Sequence, residues 1–130
     1  MHTLFNTHKK SERVFGFEKK HSYNQRCDES KNILTKYPDR IPIICEQSYY
    51  NMPRVSIDRN KYLVPMDLTF GQFMFVIRKK LKLHAEQAIF LYVNDSILVN
   101  NSTLLSDVYN EHKKSDNFLY IAYAFESTFG

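Results

Sequence analysis

The group in this chain with the most specific placement for chemistry is the carboxylate of Gly130. It follows Leu119–Phe125, a run of β-formers that reads as a strand, and the residues after Phe125 have too little apolar pattern to extend it. A core strand passing into a short tail that ends on glycine suits a protein whose own carboxylate is its reactive group. Glycine has no Cβ, so its carbonyl can approach the active site of an acting enzyme closely and pass a narrow channel. The plainer reading is a chance boundary, although the chain holds only three glycines in all.

The other reactive groups do not assemble into a site. Cys27 and Cys45 are too few and too scattered for a metal framework or a redox motif. Neither has a local activating signature, and Cys45 sits in an apolar run as a small core residue. His21, His84 and His112 are separated, with no shared partner evident. The chain contains no glycine-rich phosphate loop and no His-Glu-x-x-His. The expectation is a protein that is not an enzyme and that needs neither metal nor cofactor.

Backbone chemistry is better represented. Lys61-Tyr62-Leu63-Val64-Pro65 is a short β-run stopped by proline. Pro65 lacks a backbone donor, and Lys61 discourages uncontrolled pairing, so the segment reads as a strand on a sheet edge. An edge beside an apolar helix stripe is what a peptide needs to add itself as an extra strand; an edge with no partner is the simpler alternative.

These groups need a scaffold, and the pattern supplies one. Val14, Phe15, Phe17 and Tyr23 suggest a short amphipathic helix over 13–22. Asp28 or Ser30 is a candidate cap for a second helix ending before Pro38. Residues 41–46 read as a strand, with Pro42 near its start or on an edge. Residues 47–60 are polar and irregular. Asp67 or Thr69 opens the clearest helix, to about Leu81. On it Phe70, Met74, Ile77 and Leu81 form the core stripe, while Phe73, Val76 and the stem of Lys80 lie about a quarter turn away; the two stripes make either one wide buried face or a core face beside an exposed groove wall, and periodicity alone favours the wide core. Residues 89–93 form a strand, Asn94-Asp95 begins a turn, Ser102 caps a short helix around 104–109, and 118–125 is the last strand. Few strands, one long helix and a crossover define an α+β sheet.

A hydrophobic fraction of 43% in 130 residues supports one domain with a true core. Residues 1–40 carry nine Lys/Arg against five Asp/Glu, and the remainder carries nine of each, so the net charge of +4 lies in the N-terminal third. Acidic protein tails or anionic lipid headgroups would be drawn to that end, although a solvated face explains so small an excess as well. The run Arg78-Lys79-Lys80-Leu81-Lys82 spreads around its helix, which disfavours a nucleic-acid surface. No apolar run approaches the roughly 20 residues of a membrane span, and no signal peptide is evident, so a cytosolic or nuclear setting with free thiols is the default.

Taken in order, several motifs resemble the autophagy ubiquitin-like modifiers of the GABARAP and microtubule-associated-protein light-chain type. They are Lys36-Tyr37-Pro38-Asp39-Arg40-Ile41-Pro42-Ile43-Ile44, Lys61-Tyr62-Leu63-Val64-Pro65, Asp67-Leu68-Thr69-Phe70-Gly71-Gln72-Phe73, Ile77-Arg78-Lys79, Phe90-Leu91-Tyr92-Val93-Asn94 and Phe118-Leu119-Tyr120-Ile121-Ala122-Tyr123. The match runs over roughly residues 13–130. Residues 1–12 precede the usual start, and 24–36 and 47–60 depart from the family pattern.

The resemblance implies a ubiquitin-like β-grasp with two added N-terminal helices. It divides the chain into a flexible extension (1–12), the domain (13–125) and a conjugation tail (126–130). It implies that a cysteine protease exposes Gly130 and later removes the conjugate. An E1-like enzyme adenylates the glycine, an E2-like enzyme carries it as a thioester, and phosphatidylethanolamine receives it. It also implies a groove for aromatic-x-x-aliphatic motifs of autophagy receptors. The aromatic pocket would be Glu29, Ile33, Pro42, Ile44, Lys61, Leu63 and Phe118. The aliphatic pocket would be Tyr62, Val64, Pro65, Leu68, Phe73 and Val76, with Arg40 and Lys61 meeting acidic flanks. The implied location is cytoplasmic, and on autophagosomal or related membranes after lipidation. Two rivals remain open at this stage: an unconjugated adaptor using the same pockets, and a basic nucleic-acid-binding domain with strongly salt-dependent affinity.

Overall fold

The computed structural model describes residues 13–49, 51–55, 57 and 59–125. The expected extension (1–12), the tail (126–130) and Gly130 itself lie outside them. In chain order the elements are α1 (Gly16–Lys20), α2 (Tyr23–Lys36), β1 (Arg40–Gln47), β2 (Lys61–Pro65), α3 (Phe70–Leu81), β3 (Phe90–Val93), α4 (Leu105–His112) and β4 (Leu119–Ala124).

The strands form one sheet in the order β2-β1-β4-β3. β1 and β4 run parallel at its centre, and the two outer pairs are antiparallel. Alternation along each strand sends side chains to opposite faces. One face carries Ile41, Ile43, Tyr62, Val64, Leu119 and Ile121, which pack on Phe70, Phe73 and Ile77 of α3 and on Leu105 and Val108 of α4. The other face carries Ile44, Phe118, Tyr120 and Ala122, covered by Phe15, Phe17 and Ile33 from the N-terminal helices. The sheet is therefore a shared layer between two cores, a ubiquitin-like α+β fold with helices added at its N-terminus.

Local chemistry sets the element ends. Thr69 caps α3: its Oγ1 accepts the Gln72 N–H at 3.1 Å, and Gln72 returns its Oε1 to the Thr69 N–H at 2.9 Å. The same reciprocal box starts α2 earlier than the sequence pattern suggests. Ser22 and Gln25 form it, so the helix begins at Tyr23 rather than after Asp28 or Ser30. Ser30 is buried mid-helix instead. Ser102 is not a helix cap either. Its hydroxyl donates to Asn100 Oδ1 at 2.8 Å, and α4 starts three residues later.

Two expectations about the sheet are sharpened. Pro42 lies in a central strand, but the ladder with β4 begins only at the Ile43–Leu119 pair, so its missing donor falls beyond β4. On α3, Phe73 is completely buried with Phe70 and Ile77, whereas Met74 and Leu81 are only partly so. The core face is thus centred nearer Phe73 than the stripe arithmetic placed it. Gly71 serves packing: a Cβ there would stand 3.1 Å from Asn101 Cβ and 3.2 Å from its carbonyl.

Gln47 still belongs to β1, where the sequence pattern placed it in the irregular stretch; residues 48, 49 and 51–55 are irregular, as expected, and the Gln47 side chain organises them. Gln47 Nε2 donates to Asn51 Oδ1 and to the Pro53 carbonyl, both at 2.9 Å, and Gln47 Oε1 accepts the Val55 N–H at 2.7 Å. Asn51 Oδ1 also receives the Phe125 N–H at 3.2 Å, which fixes the last described residue to the core.

Candidate functional site at the free edge of the sheet

β2 is an outer strand, with β1 on one side and nothing on the other among the described residues. The register decides which of its backbone groups face outward. Cys45 N–H bonds the Asn60 carbonyl, and Met66 N–H bonds the Asp39 carbonyl. Pairs two residues apart share this inward arrangement, so Tyr62 and Val64 turn their amides toward Ile43 and Ile41. Lys61 and Leu63 therefore turn theirs outward. The groups available to an added strand belong to Lys61 and Leu63, not evenly to Tyr62 through Val64.

The side chains of the two outward residues point to the face of α1 and α2. Lys61 forms an ion pair with Glu29 of α2, and its ammonium lies 5.6 Å from the centre of the Phe17 ring. Burial lowers the Lys61 pKa from its ordinary value. Leu63 is half-buried on the same face. Behind them stand Ile44 and Phe118, both fully buried and packed with Ile33, while buried Pro42 pairs with Leu63 in register. The structure thus gathers the seven residues assigned to the aromatic pocket on one side of β2, with Glu29, Lys61 and Leu63 partly exposed over the buried Ile44 and Phe118.

Of the residues assigned to the aliphatic pocket, Tyr62, Val64, Leu68 and Phe73 gather on the other side. Tyr62 and Val64 are each 6% exposed, and Tyr62 meets Phe73 edge to face with ring centres 5.9 Å apart. Leu68 packs against this cluster. Val76 is half-buried and Pro65 exposed, so these two present surface where Phe73 presents none. Arg40 is exposed, and its Nη1 donates to the Leu63 carbonyl at 3.4 Å. An incoming strand would take that carbonyl and release Arg40 toward the peptide's flanks. The sequence reading did not place Phe17 beside this candidate site; its position near Lys61 depends on how α1 folds back, which no local pattern encodes.

The rival chemistries find little support. No group of three or more His, Cys, Asp or Glu among the described residues can hold a metal. Cys45 is fully buried, and burial pushes its thiol pKa far up, away from the thiolate a nucleophile needs. Replacing Cys27 and Cys45 together with alanine is expected to cost no more than about 1 kcal/mol of stability and to leave peptide affinity unchanged. A titration of the folded double variant checks this, and a large loss of binding would contradict it. Within the basic run, Arg78 is engaged with the carbonyls of Gln87 (2.7 Å) and His84 (2.9 Å), and Lys79 lies over Phe75. A cleft of about 500 Å³ near Arg13 and Lys114 lies apart from β2; there Arg13 is paired with Glu46 and Asp95, Lys114 with Glu18, and Lys113 lies over the Tyr109 ring.

Comparison with known proteins bears on the family and the fold. Residues 25–130 match the family model described as autophagy protein Atg8 ubiquitin like. The chain is 50% identical over 115 residues to autophagy-related protein 8 of Mycosarcoma maydis, covering 88% of this chain and 95% of that one. It is 51% identical over 114 residues to autophagy-related protein 8 of Schizosaccharomyces pombe, covering 88% and 93%. The crystal structure of Trypanosoma brucei ATG8 superposes with a TM-score of 0.81 at 41% identity, covering 91% of this chain and all of that one.

Proposed function

The chain belongs to the Atg8 ubiquitin-like family of autophagy proteins, and from that premise we propose that it is a non-enzymatic modifier joined through Gly130 to phosphatidylethanolamine, which displays a peptide groove on autophagosomal or related membranes. Its partners in this reading are E1-like and E2-like conjugation enzymes, a cysteine protease that processes and delipidates it, and receptors bearing aromatic-x-x-aliphatic motifs.

The observation that carries the groove is the β2 edge. Lys61 and Leu63 offer outward backbone groups, and side-chain clusters stand on both sides of the strand at the spacing alternation requires. An extended peptide places residues of opposite parity on opposite faces, so one motif can reach the α2 side and the α3 side together. For conjugation the support is the family match, which runs through Gly130. Phe125 is hydrogen-bonded to Asn51, and five residues separate it from the end of the chain. No helix among the described residues is long and apolar enough to cross a membrane, so a covalently attached two-chain lipid would supply the anchor.

Titration of the labelled protein with an aromatic-x-x-aliphatic peptide tests the groove. Amide signals of residues 61–76 are expected to move together with those of Glu29, Ile33 and Phe118. A shift map that avoids them would place the peptide elsewhere. The acidic-flank contact has its own check. Lys61→Ala is expected to weaken a peptide with acidic flanks about threefold at low salt and less than about twofold near 0.5 M, because a half-exposed charge is screened. A loss that salt leaves untouched would contradict the assignment of Lys61 as a rim charge.

A further inference from the structure

Among the described residues, Asp116 is the one acidic side chain in the buried set, at 1% exposure. It lies in the turn before β4 and joins parts of the chain that are far apart in sequence. Its Oδ1 accepts the Phe118 N–H at 3.0 Å, and its Oδ2 accepts the Tyr120 hydroxyl at 2.5 Å. Across the layer, Arg26 Nε donates to Oδ2 at 2.8 Å, and the Ser30 hydroxyl donates to the Asp116 carbonyl at 2.6 Å. Arg26 also reaches back to the His21 carbonyl at 2.6 Å and the Glu18 carbonyl at 3.2 Å, which ties the α1–α2 corner into the same hub.

The two elements joined are the two parts of the α2-side pocket. Arg26, Ser30 and Ile33 recur at helical spacing on the face of α2 that meets the sheet. Ile33 packs in the cluster that holds Phe118 and Ile44. Asp116 thus bonds directly to Phe118, the floor of that pocket, and through Arg26 and Ser30 to the helix that forms its wall. Among the described residues, no hydrogen bond of Asp116 runs to α3. Burial, with help from Asp116 itself, pushes the Tyr120 pKa well above its ordinary range, so its hydroxyl stays a donor to the carboxylate. A buried carboxylate so fully bonded is expensive to disturb and holds its partners in one geometry.

We propose that Asp116, acting through Arg26, Ser30 and Phe118, is the positioning residue that sets the width of the α2-side pocket and so fixes its preference for an aromatic ring, leaving the α3-side pocket unaffected. The inference rests on the groove reading above. It does not need Asp116 to touch the peptide.

Four peptides separate the two pockets: an intact motif with Trp and Leu at its ends, one with Trp changed to Leu, one with the terminal Leu changed to Ala, and one with both changes. They are titrated against the wild type, Asp116→Asn and Ser30→Ala, each first shown to be folded by its amide spectrum. Asp116→Asn keeps the shape and removes the charge. Ser30→Ala removes one hydroxyl and decides the question if Asp116→Asn fails to fold. The intact motif is expected to bind about fivefold more weakly to either folded variant. The penalty for losing Trp should shrink by a similar factor, while the penalty for losing the aliphatic end stays within about twofold of wild type. Unchanged affinity, or an equal shrinkage of both penalties, would overturn the proposal, because general softening moves both pockets alike. If the wild type itself ignores all four peptides, the groove is wrong and this inference falls with it; binding by the wild type with unaltered variants removes only the role of Asp116.

Discussion

Gly130→Ala is expected to abolish the proposed transfer to phosphatidylethanolamine while leaving the fold and peptide binding intact. The expected loss is near complete because, in the proposed mechanism, the carboxylate is the reacting group and glycine's missing side chain is what lets it approach the acting enzymes. A methyl group obstructs the closest approach to the adenylating and thioester-carrying enzymes, where misplacement of reacting atoms by about 1 Å costs on the order of a hundredfold in rate. Among the described residues, the two cores of the domain draw on side chains between Phe15 and Phe125. Reconstitution with the cognate enzymes and phosphatidylethanolamine liposomes, read as a gel-mobility and mass shift, tests the expectation. Normal lipidation of the variant would remove Gly130 from the mechanism.

Leu63→Ala is expected to weaken an aromatic-x-x-aliphatic peptide by about 2 kcal/mol, roughly thirtyfold. Leu63 turns its backbone outward to meet the added strand and stands beside Lys61 on the α2-side face, so truncation widens the pocket at its mouth. The side chain is only half-buried, and the cost to stability is therefore smaller, about 1 kcal/mol. This separation makes Leu63 a better probe than Phe73, which is fully buried beneath Tyr62 and whose loss would disturb the core before it reported on binding. Calorimetric titration of the folded variant against wild type decides it. Equal affinities would mean that the pocket mouth lies elsewhere.

Much of this arrangement was legible before any coordinates. Pro65 and Lys61 marked β2 as an edge, and Thr69 marked the start of α3. Both signals are local, because a missing donor or a capping hydroxyl acts within a few residues. Asn94 and Asp95 marked their turn for a related reason: both adopt positive φ, at 54° and 65°, which their short polar side chains tolerate. What stayed hidden depends on contacts distant in sequence. The buried position of Ser30 is satisfied by a carbonyl 86 residues away, so its role could not be told from that of a helix cap. The central place of β1 follows from its parallel pairing with β4 at the far end of the chain. Phe73 could be assigned to core or groove by periodicity alone; only the position of Tyr62 above it shows the first. The outward-facing groups of β2 needed the register itself, since a shift of one residue would exchange Lys61 and Leu63 for Tyr62 and Val64.

The most direct test of the central claim is the mass of the C-terminal peptide from the protein recovered in the membrane fraction of cells with autophagy induced. The account predicts a peptide whose Gly130 carboxyl is an amide of phosphatidylethanolamine, reverting to the free acid after treatment with the delipidating protease. A membrane-bound form whose Gly130 carries a free carboxylate would contradict it.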